Sequence, residues 1–536
     1  MPLAPHSSDV KPSNALRTGW RLLSERSASV LPVYLLVSGL YGVARVPLLL
    51  AGLIAVWLAA ASGRLDPFAD LLRQIQSAPD AERGGDVAAP GELSPEMIDS
   101  ELGDAVAGLL MPETVALVLV GVLVAIVLGL VASALGSAAA VGGILGLLRD
   151  RDGVRAAVES ARTYWRSILG VRVLFLLALA AVVVPVGGVV AGTAGAVLGA
   201  SASGSANAAS IGGSLVAVGI AVLGTLIGAL LVLAVVLLFA FAEQAVVVDD
   251  AGALAAVRAS VQFPIARPVA FLGYVAVGAG TVVLTVTAAA IGSVVGANRV
   301  TGLLGVVVVP PILDGVKTSL YAETTLPPDP DPTPLGDRAR AAFGGGLRAV
   351  GGFVRDRPVA NLVSLGCVVA GGVIGWLATA SIGVALPVGG DVGNVFGSGA
   401  FGPLGTAVNL AVNNWLVAVG LAYSGLAAGI PAVVNLGFNG LIVGAVGGVF
   451  EPVAFLALVA PHGVIEIPSI VVGGAVGLRL GFVGVGALRG RRDDGEVARA
   501  IRHAYRVLLG LVPLFVVAAL VEAFLTPAIA SVVLGG

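Results

Sequence analysis

Long apolar runs separated by short polar segments dominate the chain. They lie near residues 30–61, 114–148, 167–198, 212–243, 268–293 and 299–321, and again near 359–384, 405–424, 427–449, 464–488 and 507–533. A helix crosses the hydrocarbon core with roughly 20 apolar residues, and these runs supply them. The strict alternation of a membrane strand is largely absent, which favours helices over a closed barrel. The pattern predicts an all-α integral membrane protein of about eleven transmembrane helices. Arg45 and Pro47 interrupt the first run, so a kink or a long tilted helix is expected there.

The polar segments divide the chain. Residues 323–338 are rich in proline and aspartate and cannot continue a helix. We expect two bundles, six spans in 1–322 and five in 339–536, joined by that linker. Arginine-bearing amphipathic stretches precede spans at 15–28, 154–168, 253–267, 339–357 and 496–506. These predict elbow helices lying in the membrane interface, arginines on headgroups; ordinary juxtamembrane anchoring, lipid sensing and partner docking all fit them.

Charge gives the expected orientation. Under the eleven-span reading the arginine clusters fall on one side, from Arg17, Arg21 and Arg26 to Arg499, Arg502 and Arg506. The opposite side carries the 64–113 loop, with eleven acids against three arginines, and a 385–404 loop whose one charge is Asp391. The positive-inside rule then places the N-terminus in the cytoplasm and the C-terminus outside. The first 29 residues are polar and basic without an apolar core, so insertion through the first span is expected rather than a cleaved leader.

Composition narrows the chemistry. Only 12% of residues are charged and 57% are hydrophobic, where a soluble domain carries about a quarter charged. The 76 glycines suit close helix approach in lipid. The single cysteine, Cys367, excludes an internal disulfide and a thiolate metal cluster. Gly397-Ser-Gly-Ala-Phe-Gly402 spells a dinucleotide fingerprint but has no strand–turn–helix context. No phosphate-binding loop, hydrolase triad or nucleic-acid patch stands out, and no enzyme, cofactor or nucleic-acid partner is expected.

The polar residues inside the apolar runs are the informative ones. Pro461-His-Gly-Val-Ile-Glu-Ile-Pro468 places His462 and Glu466 at i,i+4, on one helical face. Asn409 and Asn413, beside Asn414, and then Asn435 and Asn439 repeat that spacing on the two preceding spans. A polar group facing lipid costs several kcal/mol, to an order of magnitude, so a polar seam linking three helices is predicted. Gly425, Gly429, Gly440, Gly444, Gly463, Gly473 and Gly477 are expected at helix-packing positions. Arg45, Arg479 and Glu522 are further intramembrane charges. Partnering within the bundle is expected for Arg479 and Glu522.

On this segment, with the Asn/Gly-rich pair of spans before it, the chain resembles the stage II sporulation protein M family over about 345–535. His462, Gly463 and Glu466 match the family's motif, as do Asn414, Asn439 and Gly440 approximately. The resemblance implies a membrane component of an envelope assembly, since the family member of spore formers works in engulfment with peptidoglycan-degrading partners. Relatives also occur in organisms that never sporulate. The 1–322 part is similar, in its repeated elbow-plus-span pattern alone, to membrane domains found beside glycerophosphodiester phosphodiesterases, without their catalytic domain.

Three readings of the seam stand open: glue between helices, a solute or proton path with His462 and Glu466 as relay groups, and a metal site. The last is short of donors, because one His and one Glu make two ligands where zinc takes three or four. His6 and His503 belong to segments expected outside the membrane, so no metal is expected. The preferred function is a non-catalytic scaffold of an envelope or membrane-remodelling assembly. Its expected partners are the lipid bilayer, other membrane or envelope proteins, and further copies of the chain. A permease or channel subunit is the alternative, and a lipid-directed intramembrane enzyme the third.

Overall fold

The computed structural model describes residues 10–64, 111–202, 208–328, 333–380 and 402–534, with the isolated positions 66, 70 and 103. Most of the 64–113 and 385–404 loops, Asp391 and most of the Gly397–Gly402 fingerprint lie outside the described residues. Seventeen α-helices follow in chain order: α1 (Pro12–Tyr41), α2 (Arg45–Ala61), α3 (Pro112–Leu148), α4 (Gly153–Ala202), α5 (Ala208–Leu238), α6 (Ala242–Val248), α7 (Ala253–Ala266), α8 (Pro268–Val294), α9 (Asn298–Val307), α10 (Val309–Ala322), α11 (Leu335–Asp356), α12 (Pro358–Ala380), α13 (Gly402–Ser424), α14 (Ile430–Val449), α15 (Pro452–Leu488), α16 (Asp494–Leu520) and α17 (Thr526–Leu534). No described residue lies in a β-strand. Eleven helical stretches among the described residues are long and apolar enough to cross a membrane, as the hydropathy pattern requires.

Element boundaries differ from the expected ones where prolines and arginines mislead. The helix expected from 464 begins at Pro452, where the Glu451 carboxylate accepts from the Ala454 N–H at 3.2 Å. It then runs on through Pro461 and Pro468; in lipid a helix tolerates such breaks because neighbouring helices keep the backbone satisfied. The stretches at 154–168 and 496–506 continue directly into the spans after them, as α4 and α16. Those at 253–267 and 339–357 fall in separate helices that end before Pro268 and Pro358, as the restricted residue before a proline dictates. Near Arg45 a short 3-10 turn, Gly42–Ala44, separates α1 from α2. Pro47 cannot donate to Val43, which accounts for a break in that region.

The helices cluster into two compact units interleaved along the chain, one of 1–21, 137–278 and 312–327, the other of 22–136, 279–311 and 328–536.

The first unit is held by rings and ion pairs. Phe241 is fully buried and stacks on Phe263 at 4.0 Å between centroids, with Tyr274 edge-on at 5.1 Å. Ala15, Val316 and Leu320 complete this cluster. Arg172 pairs with Glu243 at 2.7 Å and donates to Ser137 Oγ at 2.6 Å. Arg267 pairs with Glu323 and donates to the Tyr321 carbonyl at 3.1 Å.

The second unit is held largely by backbone approach. On α12, a Cβ at Gly371 would collide with the Gly437 carbonyl, and one at Gly375 with that of Leu441. From the α14 side, Gly440 lies on the Val368 carbonyl and Gly444 on that of Gly372. α15 meets α13 in the same way, Gly473 against Ala418 and Gly477 against the Leu421 carbonyl. Between α13 and α14 the chain reverses through Gly429 at φ +78, whose N–H returns to the Gly425 carbonyl at 2.7 Å. That left-handed conformation suits glycine. Side chains add directed bonds across helices: Ser364 to the Val471 carbonyl at 2.7 Å, Trp415 to that of Leu508 at 2.8 Å and Tyr423 to that of Ile501 at 3.2 Å.

Candidate functional site

α15 carries His462 and Glu466 one turn apart, and α16 leads into the π-helical segment Val521–Leu525 that carries Glu522. One ligand-capable atom from each of these three side chains lies within 4.8 Å of the other two. All three are partly buried. The Nδ1 atom of His462 is buried without a hydrogen-bond partner among the described residues. Neither glutamate forms an ion pair with Lys or Arg among the described residues. A π-helical turn holds one residue more than α-helical winding would, and such insertions gather at functional sites.

The asparagines go elsewhere. Asn435 donates to the Pro431 carbonyl and Asn439 to the Asn435 carbonyl, each at 2.7 Å and each one turn back on its own helix. Asn413 donates to Asn414 Oδ1 at 3.1 Å, and Asn414 is buried. Asn409 caps another helix: its Oδ1 accepts from the Arg299 N–H at 2.8 Å and its Nδ2 donates to the Gly296 carbonyl. The start of α9 has no side-chain cap of its own, so Asn409 satisfies a donor that would be orphaned. Among the described residues none of these asparagines bonds to His462 or Glu466. The polar residues of the three spans are therefore settled separately, and the histidine–glutamate pair meets Glu522 instead.

The glycines divide likewise. Gly425, Gly440, Gly444, Gly473 and Gly477 sit where a neighbouring helix leaves little or no room for a Cβ, and Gly429 makes the turn. At Gly463 an added Cβ would make ordinary contact with Val459 and Ile467 of its own helix. Arg45 is exposed beside the 3-10 turn. Arg479 lines a cavity of about 460 Å³ with Arg357, Arg492, Arg499, His503 and Glu496. Arg492 pairs with Glu496 at 3.0 Å, so the cavity keeps a surplus of positive charge.

Sequence spacing signalled the His462–Glu466 pair. Glu522 stood out as an ion in an apolar run, but its place beside that pair depends on how α16 packs on α15, which no local pattern carries.

Residues 364–527 match the family model described as Stage II sporulation protein M. The matched stretch holds His462, Glu466 and Glu522, and it stops short of residues 1–322, whose likeness to phosphodiesterase-associated domains has no support in these matches. An uncharacterized protein of Methanocaldococcus jannaschii is 25% identical over 131 residues, covering 24% of this chain and 74% of that relative. No solved structure matches. Eleven apolar membrane-length helices and this match together make the chain a multi-pass membrane protein with a Stage II sporulation protein M region at 364–527.

Proposed function

We propose that the protein is a non-catalytic membrane scaffold within an envelope or membrane-remodelling assembly, its N-terminus cytoplasmic and its C-terminus outside. The observation that carries this reading is the backbone-to-backbone locking of α12 with α14 and of α13 with α15. Helices seated on each other's carbonyls have little freedom to slide, and a bundle of fixed shape suits holding partners in register. The family match supports the same reading through the sporulation role in its name. The arginine clusters support the orientation. Crosslinking followed by affinity purification from native membranes tests it. Recovery of defined membrane or envelope proteins in constant ratio is expected, and recovery of none sinks the scaffold.

A second reading, a permease or channel subunit, is favoured by the three ionisable groups brought together on membrane-length helices. In proteoliposomes, loss of ion flux in Glu466→Gln and Glu522→Gln at undiminished protein level would support it. Wild-type vesicles as tight as empty ones would refute it.

A further inference from the structure

We propose that His462, Glu466 and Glu522 form a binding site for a divalent transition-metal ion of the zinc class. The inference is independent of the scaffold reading, since an ion at this place would serve a static or a transporting bundle alike.

Charge is the first argument. Two carboxylates off water and close together require compensation. Among the described residues no Lys or Arg supplies it. A doubly charged cation with two carboxylates and a neutral imidazole sums to zero, the sum favoured in a medium of low dielectric.

Geometry is the second. In a tetrahedral site with bonds of about 2.1 Å the ligand atoms stand about 3.4 Å apart. Here they lie within 4.8 Å of one another. Rotations of two glutamate side chains close a gap of that size without moving a helix.

Ligand type is the third. Imidazole suits zinc, copper, iron and nickel, whereas calcium takes six to eight oxygens and magnesium a near-octahedral oxygen set. The buried Nδ1 of His462, with no hydrogen bond among the described residues, is a donor atom with no other use. Three protein ligands leave a fourth position for water or an incoming group. The ion would tie the middle of α15 to the π-helical segment after α16, two elements far apart in the chain.

The test uses the full chain without a histidine tag, purified in detergent, stripped with chelator and titrated with Zn²⁺ by calorimetry, with bound metal counted by mass spectrometry. We expect one ion per chain. His462→Ala, Glu466→Gln and Glu522→Gln should each weaken binding by at least roughly 100-fold, since loss of an outer hydrogen-bond partner alone costs about 10–100-fold. Asp337→Asn, an exposed carboxylate on α11, should leave the titration unchanged. No stoichiometric uptake, or equal uptake by all variants, overturns the proposal. Should a variant aggregate, X-ray absorption of the zinc-loaded unaltered chain decides. One imidazole nitrogen with carboxylate oxygens around the ion supports the site, and a sulfur-containing or all-oxygen environment overturns it.

Discussion

The two compact units are both rich in glycine, yet they use it in opposite ways. In the second unit, Gly371, Gly375, Gly440 and Gly444 are contact points where a neighbouring backbone fills the place of a side chain. In the first, Gly187, Gly192, Gly195 and Gly219 have nothing within 4 Å of where a Cβ would stand. The first unit takes its cohesion from Phe241, Phe263 and Tyr274 and from the Arg172–Glu243 pair. Lipid rewards burial of an apolar side chain hardly at all, because the tails are as apolar as leucine. What remains is closeness of backbones, which needs small residues, or directed contacts, which need polar or aromatic ones. The two units take one route each.

Substitutions sharpen this contrast. The largest effect is expected from Gly440→Val, whose added carbons meet the backbone of Val368 and Gly372. Relief requires α12 and α14 to separate, so the loss should exceed about 3 kcal/mol, the upper end of ordinary overpacking. Fluorescence-detected size exclusion of the solubilised chain should show loss of the monodisperse peak; an unchanged peak would remove the locking argument. Phe241→Ala comes next, at about 3 kcal/mol for a fully buried ring, read as a drop in thermal midpoint. Asn409→Ala deletes the cap on α9 at a cost of about 1 kcal/mol. Faster hydrogen exchange at the first turn of α9 should report it, and unaltered exchange there would show the cap to be idle. The smallest effect is expected at Gly195→Ala, within about 0.5 kcal/mol of the parent. A large effect there would mean that the open glycines of the first unit are covered after all.

Much of the architecture was legible in the chain because hydropathy acts at the length of a membrane crossing. Eleven apolar runs became eleven membrane-length helical stretches. Finer features failed where local and tertiary preferences diverge. Pro461 and Pro468 suggested a boundary, but α15 passes through both and starts at Pro452. The i,i+4 spacing of Asn435 and Asn439 suggested a shared face with His462. Each of those side chains instead found a carbonyl one turn back, a satisfaction available within a single helix that needs no partner. Glu522 has no such local acceptor to donate to, and its nearest chemistry lies on another helix.

The π-helical segment at Val521–Leu525 has a consequence for chain length. Removing one residue there would restore regular winding and turn everything after it by about 100°. Thr526 and Ala530, now both buried, would rotate away while α16 stayed seated. The segment therefore acts as a register joint, a place where the length of the chain sets the azimuth of its last helix.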